Sequence, residues 1–430
     1  MIPSISWKNI WRNRVRSLVV ITAITLGLFG GLFSSAIFQG MNDRRVKEAL
    51  TKEISHIQVH SPKFLENPEI GFTIDKINDV EQFIVNQEGV KAISSRIKTT
   101  AMIASSSANS GVTVLGIDPD KEKDVTEMYT ALYTAEQLED HFEITDPEAQ
   151  KQFIKDSVGT YFENVSRNPV FIGEELAHTL NLKIRSKVVL TFQNTDGSLT
   201  GGAFRVVGIF RTENSSFEET NVFVRHSDLF ELCGLEEQDA HEIAIFLDDM
   251  DLSAELTKTI QDQFPHLEVN DWKEIQPDVA MLNDFMAVTM TVIIVIILLA
   301  LGFGIVNTML MVVLERVKEI GMLMAIGMNK LKVFTMIILE SVLLCLSGAA
   351  IGMGLSVLFV EIFKTRGIDL TVFAQEGFEA MGFGAVFYPT LGIEFYLEVT
   401  FLVVLTGILS SVYPALKALN LNPADALRSE

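Results

Sequence analysis

Two cysteines in 430 residues, Cys233 and Cys345, are too few to build a disulfide framework. Cys345 falls inside an apolar run and Cys233 in a polar stretch, so the two are not expected to pair and both read as buried, inert thiols. The chain has no G-x-x-x-x-G-K-[S/T] loop, which excludes an ATP site of the Walker type. H-E-x-x-H, C-x-x-C and G-x-S-x-G are also missing. His56 and His60 are four apart, but in a strand-like pattern, where the helical pairing of metal ligands fails. No catalytic residue, no metal site and no bound cofactor is therefore expected on this chain. Basic charge is scarce in the middle: residues 41–284 hold 22 Lys+Arg against 44 Asp+Glu. That acidity argues against nucleic acid as a partner.

What the sequence does have is long uncharged runs. Ser17 to Asn42 and Phe285 to Leu314 carry no charge. Val333 to Phe363 is broken only by Glu340 and Glu361, and Val399 to Leu416 is again uncharged. About 20 apolar residues cross a bilayer. Four transmembrane helices follow, one before and three after the acidic middle. The first run follows Lys8, Arg12, Arg14 and Arg16, but it is too long for a signal-peptide core and is expected to stay. The second run, at 1.5 Å per residue, reaches about 45 Å and should tilt or project from the membrane.

Lys and Arg set the orientation. Four precede the first span, and Arg316, Lys318, Lys330 and Lys332 lie between spans two and three. Lys417 and Arg428 follow span four, whereas Lys364 and Arg366 alone lie between spans three and four. Both termini and the middle loop are expected in the cytoplasm, and the acidic domain outside. Trp7, Ile10, Trp11, Val15 and Leu18 recur at helical spacing, as in a helix lying in the membrane interface.

The expected boundaries are a cytoplasmic amphipathic segment at 1–17 and span one at 18–41. The extracytoplasmic α+β domain takes 42–283 and span two 284–314. A cytoplasmic loop or helix follows at 315–332, then span three at 333–363 and an outer loop at 364–396. Span four takes 397–416 and a cytoplasmic tail 417–430. In the outer domain, His56–His60, Asn78–Glu88 and Val90–Ala104 read as strand, helix and strand, followed by a strand at Val112–Ile117. His241–Leu247, Leu252–Gln263 and Leu267–Trp272 repeat the β-α-β order. The pair suggests a split ferredoxin-like module. Its insert, about 119–240, begins acidic and helical around Asp140, Glu143, Asp146 and Glu148, then turns mostly β as a separate subdomain. Asn194 to Gly202 reads as a short hairpin loop.

Polar groups inside spans are costly and face protein. Asn307 and Glu340 are such groups, read first as interhelical hydrogen-bonding residues. Gly348-x-x-x-Gly352 with Gly354 permits close helix packing.

The loop Leu314-Glu-Arg-Val-Lys-Glu-Ile-Gly-Met-Leu-Met-Ala-Ile-Gly-Met328 resembles the E-R-x-x-E-I-G-x-x-x-A-I-G loop of FtsX-like, MacB-type ABC permeases. Asn13-Arg14-Val15-Arg16-Ser17 is similar to the family's N-R-x-R-S opening, and Tyr413 to Arg428 to its final segment. Leu115–Pro119, Ile172–Ala177 and Val206–Phe210 look like stretches of the lipoprotein-releasing permeases of the LolC and LolE type. Here the hairpin at Asn194–Gly202 departs, being short and free of proline.

The resemblance implies a permease in the bacterial inner membrane that works with a separate ABC ATPase dimer holding ATP and Mg. It also implies a second permease copy or paralogue, with lipoproteins and a periplasmic carrier as further partners. Glu315, Arg316, Glu319, Ile320, Gly321, Ala325 and Gly327 would couple the chain to that ATPase, with Ile320, Leu323, Met324 and Ile326 as the apolar docking face. Phe33, Phe38, Met281, Phe285, Met286 and Met290, at the outer ends of spans one and two, would line a cleft for an acyl chain. Release of lipoproteins is the first expectation. A MacB-like exporter or mechanotransmitter is the second, and a non-transporting scaffold or sensor the third.

Overall fold

The computed structural model describes residues 2–132, 161–162, 168–369, 377–378, 382–384 and 386–419. The acidic stretch around Asp140–Glu148 and the tail beyond Leu419 lie outside these residues. The chain divides into two compact units.

The first unit comprises residues 1–42, 283–370 and 386–430. Among the described residues four helical runs are long and apolar enough to cross a membrane: Ile5–Ile54, Pro277–Glu315, Lys330–Arg366 and Ile393–Leu419. In membrane-spanning helices small residues let backbones approach, because lipid offers no hydrophobic drive for helices to associate. A Cβ on Gly31 of the first helix would lie 2.7 Å from Ile297 Cδ1 of the second. A Cβ on Gly348 of the third would lie 2.8 Å from Ile24 Cβ of the first, and one on Gly352 2.8 Å from the Thr25 carbonyl oxygen. Thr25 Oγ1 also donates to the Gly348 carbonyl at 3.1 Å. The first helix is thus seated between the second and third by glycines. Gly354 faces open space and takes no part.

The second unit comprises residues 43–282 and 371–385. Its strands are β1 (Ile57–His60), β2 (Val90–Ala104), β3 (Asn109–Ile117), β4 (Pro169–Gly173) and β5 (Lys187–Gln193). They continue with β6 (Leu199–Phe210), β7 (Asn221–Arg225), β8 (Glu242–Leu247) and β9 (Glu268–Asp271). Strands β2-β8-β1-β9 form an antiparallel sheet in that order. Helices Ile77–Val85 and Ser253–Gln263 bury Val80, Ile84, Leu256 and Ile260 with Ile57, Val59, Ile243, Ile245 and Val269. This is the ferredoxin-like arrangement that the two β-α-β repeats suggest.

The insert is not the separate subdomain expected. Strand β2 runs for fifteen residues, about 50 Å at 3.3–3.4 Å per residue. Its first half pairs with β8, and its second half with β3 (Ile97↔Gly116 to Ala104↔Asn109) and β5 (Met102↔Thr191). The order β3-β7-β4-β6-β5-β2 then closes through β2–β3 into a six-stranded barrel filled by Ile103, Val114, Ile172, Leu190, Phe204 and Val224. Closure leaves no free edge. The insert cannot complete its core without β2 and β3. The hairpin also differs from expectation: Gln193 pairs with Leu199, so Leu199 to Gly202 belong to β6 and only 194–198 turn.

A buried ion triad ties the two sheets together. Arg96 of β2 donates Nη2 to Glu122 Oε1 at 2.6 Å and Nη1 to Glu242 Oε1 of β8 at 2.7 Å. All three are almost fully buried. Ser94 and Thr126 hydroxyls also donate to Glu122, at 2.7 and 2.8 Å. His56 and His60 do not share a site: Nδ1 of His56 accepts from the Leu247 backbone N–H, and His60 lies against Gln58 and the His241 carbonyl. Among the described residues no cluster of His, Cys, Asp and Glu could hold a metal ion.

Candidate functional site

Arginines and glutamates of the first unit meet where the N-terminal segment approaches the end of the second long helix. The chain enters as a short helix, Ile2–Ile10, passes a 3-10 turn at Trp11–Asn13 and continues as Arg14–Glu48. The Ser17 hydroxyl donates back to the Ile10 carbonyl at 2.5 Å and braces that turn. Trp7, Trp11, Val15 and Leu18 are exposed, the outer face expected of an interfacial helix. Ile10 is buried, and Ser6 Oγ donates to the Met336 carbonyl of the third long helix, so this segment packs on protein as well.

Arg12 and Arg16 are four apart on this segment, and Glu315 and Glu319 are four apart at the end of the second long helix and the helix Val317–Ala325. The two pairs meet. Arg12 grips both oxygens of Glu319 at 2.5 and 2.8 Å, and Arg16 both oxygens of Glu315 at 2.6 and 2.7 Å. Such two-point forks fix orientation as well as distance. The Arg12 hydrogen bond, helped by Arg316 and opposed by partial burial, holds Glu319 below the usual carboxylate range.

Arg316 joins the loop to the membrane interior. Its Nε donates to Glu319 at 3.0 Å and its Nη1 to both oxygens of Glu340 at 3.3 and 3.4 Å. Glu340 is 5% exposed, so Arg316 supplies the partner that a buried carboxylate needs. The interhelical role expected of Glu340 thus has an ionic form. The Asn307 side chain is exposed and makes no hydrogen bond with the described residues.

The apolar face of the loop splits. Ile320 is buried in the helix core and Met324 packs beside it, one turn on. Met322 and Ile326 point outward instead. A helix of 3.6 residues per turn cannot present 320, 324 and 326 on one side. Gly321 is buried, and Ala325 is the last residue of the helix. Gly327 has φ +103°, a left-handed conformation that favours glycine and ends this helix.

The six residues expected to line an acyl cleft do not share one surface. Phe33 packs with Phe29, Phe359 and Phe363, between the first and third helices. Met290 is buried, Met286 half-buried, and Phe38, Met281 and Phe285 exposed. The sequence reading missed the Arg12–Glu319 and Arg16–Glu315 pairs. Their signal was present as matched four-residue spacing of opposite charges, with Arg16 and both glutamates inside the motifs that carry the family resemblance and Arg12 one residue before.

A cavity of about 230 Å³ opens beside these pairs, lined among others by Asn9, Arg12, Asn13, Arg16, Arg316 and Glu340.

Comparison with known proteins bears on this same region. The FtsX-like permease C-terminal domain matches residues 291–423, which hold the Glu315–Glu319 loop and most of the last three long helices. The macrolide export ATP-binding/permease protein MacB of Agrobacterium fabrum is 22% identical over 431 residues, covering 97% of this chain and 59% of that protein. The chain therefore spans little more than half the length of that relative. The extracellular domain of the noncanonic ABC-type transporter YknZ from Gram-positive bacteria covers 50% of this chain and 99% of its own, at 13% identity and TM-score 0.29. The periplasmic region of MacB from Actinobacillus actinomycetemcomitans covers 52% and 91%, at 11% identity and TM-score 0.31. In its four membrane-length helices and in the match at residues 291–423, this chain is similar to the FtsX/MacB-type ABC permeases.

Proposed function

We propose that this chain is the membrane subunit of a transporter in the bacterial inner membrane, with both termini cytoplasmic and a separate ABC ATPase dimer docking on the loop 315–332. The observation that carries the reading is the double fork of Arg12–Glu319 and Arg16–Glu315. A partner that moves the loop must also move the N-terminal helix. Met322 and Ile326, exposed on the loop's outer side, offer the partner an apolar hold of the helix-in-groove kind. ATP and Mg are held by the partner in this reading.

Its cargo is a lipid-anchored protein, released from the inner membrane toward the outer membrane with the help of a second permease copy and a periplasmic carrier. Each buried CH₂ of an acyl chain contributes about 0.8 kcal/mol, so extraction needs an apolar receiving surface. Phe38 and Phe285, exposed on the first two long helices, are residues of the kind such a surface needs. The Agrobacterium relative is named for macrolide export, which favours a second reading, a MacB-like exporter or mechanotransmitter acting on a drug, peptide or periplasmic partner.

Two measurements on the complex purified from native membranes test this. The charge swap Arg12→Glu with Glu319→Arg should restore cargo-stimulated ATP hydrolysis lost in either single variant. Wild-type stimulation in both single variants would refute the coupling role. Photocrosslinks from Phe38 and Met286 should reach acylated proteins. Crosslinks to phospholipid alone, with normal lipoprotein sorting on depletion, would leave the export reading.

A further inference from the structure

The cavity beside the double fork has an unusual balance of donors and acceptors. Three arginines and two carboxylates, Glu315 and Glu340, are among its lining residues. A guanidinium has five N–H donors. Arg12 and Arg16 each commit two of them to one glutamate, leaving three apiece. Arg316 commits Nε and Nη1, leaving Nη2. Asn9 lines the same space, and its side-chain Nδ2 is buried with no hydrogen-bond partner among the described residues. The carboxylates already accept from arginine, and the Thr308 hydroxyl donates to the Gly304 carbonyl. What the space lacks is acceptors. Of these donors Asn9 Nδ2 is the buried one that demands a partner, since the Arg12 side chain is 58% exposed.

Water satisfies donors only in part, since each molecule accepts two and must donate two. The three arginines are matched by Glu315, Glu319 and Glu340, but Lys8 and Arg14 on the same segment and Lys318 on the loop leave these segments net positive, and a tetrahedral oxyanion accepts from many donors. The space is several times the roughly 30 Å³ that one water occupies in the liquid, enough for a phosphodiester. Val15, Leu18 and Val19 are exposed on the helix that carries Arg12 and Arg16, where acyl chains could lie. We propose that this cavity binds the phosphate of an anionic phospholipid headgroup, held by Arg12, Arg16, Arg316 and Asn9. A choline or ethanolamine headgroup would bring an ammonium beside the arginines and is disfavoured. Basic pockets between membrane helices recognise lipid phosphates in this way. The site needs only that the helices span a membrane, and stands whichever cargo or ATPase the chain serves.

The test uses the full-length chain in nanodiscs of phosphatidylcholine with a minor fraction of phosphatidylglycerol, reading retained lipid by native mass spectrometry. Phosphatidylglycerol should be enriched on the protein over its bulk fraction. Asn9→Asp keeps the side-chain shape but places a carboxylate among the arginines. It should lower the enrichment roughly tenfold, as expected for losing a hydrogen bond to a charged group. Thr308→Val, which removes a hydroxyl already bonded within its own helix, should keep it. Melting of Asn9→Asp in pure phosphatidylcholine checks that it folds. Equal retention of both lipids, or unchanged enrichment in Asn9→Asp, would overturn the proposal. So would binding of inorganic phosphate with the same Asn9 dependence but no lipid preference, which would assign the site to a soluble anion. Because lipid retention is read without ATP, loss of ATPase docking would count against the proposed function and leave this site standing.

Discussion

Replacing Arg96 by Met should unfasten the outer domain at the junction of its two sheets. The guanidinium is buried with Glu122 and Glu242, whose side chains are each 1% exposed. Removing one member of a buried ion group costs about 3–5 kcal/mol, because the orphaned charges stay out of water. The titration of Glu242 gives a consistent magnitude. Burial alone would raise it, but Lys98 and Arg96 outweigh burial and bring it down from 4.5 to about 2. A drop of that size corresponds to about 3 kcal/mol of charge-dependent stability. Because the folded value lies below the unfolded one, this stability is present above pH 4.5 and lost as pH falls toward 2. In the variant the sign reverses. Glu242, left without Arg96 in a buried site, gains by taking up a proton in the folded state, so the deficit should shrink as pH falls. The assay is urea unfolding followed by fluorescence of Trp272, which is buried in this domain, in a background where Trp7 and Trp11 are changed to Phe. Lys98→Met is the comparison. Its side chain is 37% exposed with Nζ 3.3 Å from Glu242; it heads the groups that pull Glu242 down, but water screens that attraction and it should contribute about 1 kcal/mol or less. A deficit for Arg96→Met below that of Lys98→Met, or one that is flat between pH 7 and pH 4.5, would refute the reasoning.

Two further outcomes follow from glycines. Gly348→Val should destabilise the helix bundle by about 1–3 kcal/mol through overpacking against Ile24, with Gly354→Val silent because nothing lies near it; thermal melting in detergent compares them. Gly327→Val should cost about 1–2 kcal/mol of strain at φ +103° while Gly327→Asn costs less, and since no atom lies within 4 Å of the added Cβ the difference must come from backbone conformation, read as helicity of the isolated loop transition in thermal melts.

The four long helices and the β-α-β repeats were legible because their signals are local. A run of uncharged residues, or an alternation of apolar and polar ones, needs nothing from the rest of the chain. Most strand positions, Lys187–Gln193 for instance, could be read from such patterns alone. The barrel could not. Its closure depends on β2 serving two sheets, and nothing local in Val90–Ala104 marks where one set of partners gives way to the other. The Arg96 triad was hidden for the same reason, since its members stand 26 and 146 positions apart. The split of the loop's apolar face was readable in principle, because 320, 324 and 326 cannot share a side of one helix. The acyl-cleft residues were chosen by type and depth, and packing separates them: Phe33 joins an aromatic cluster, whereas Phe285 stays exposed.

The ion pairs around the loop differ in kind, and the difference has mechanical content. Arg316–Glu340 is shielded from water, so breaking it leaves a carboxylate without a partner inside the helix bundle. Arg12–Glu319 and Arg16–Glu315 are partly exposed, and such pairs are readily replaced by water or by another ion. The loop is therefore pinned at Arg316 and tethered at Glu315 and Glu319. A partner pressing on Met322 and Ile326 meets a lever with one fixed point and two exchangeable ties. A phosphate in the neighbouring cavity would draw on the same two arginines as those ties. Anionic lipid would then set how firmly the lever is held, and the charge swap at Arg12 and Glu319 should change the lipid preference together with the coupling.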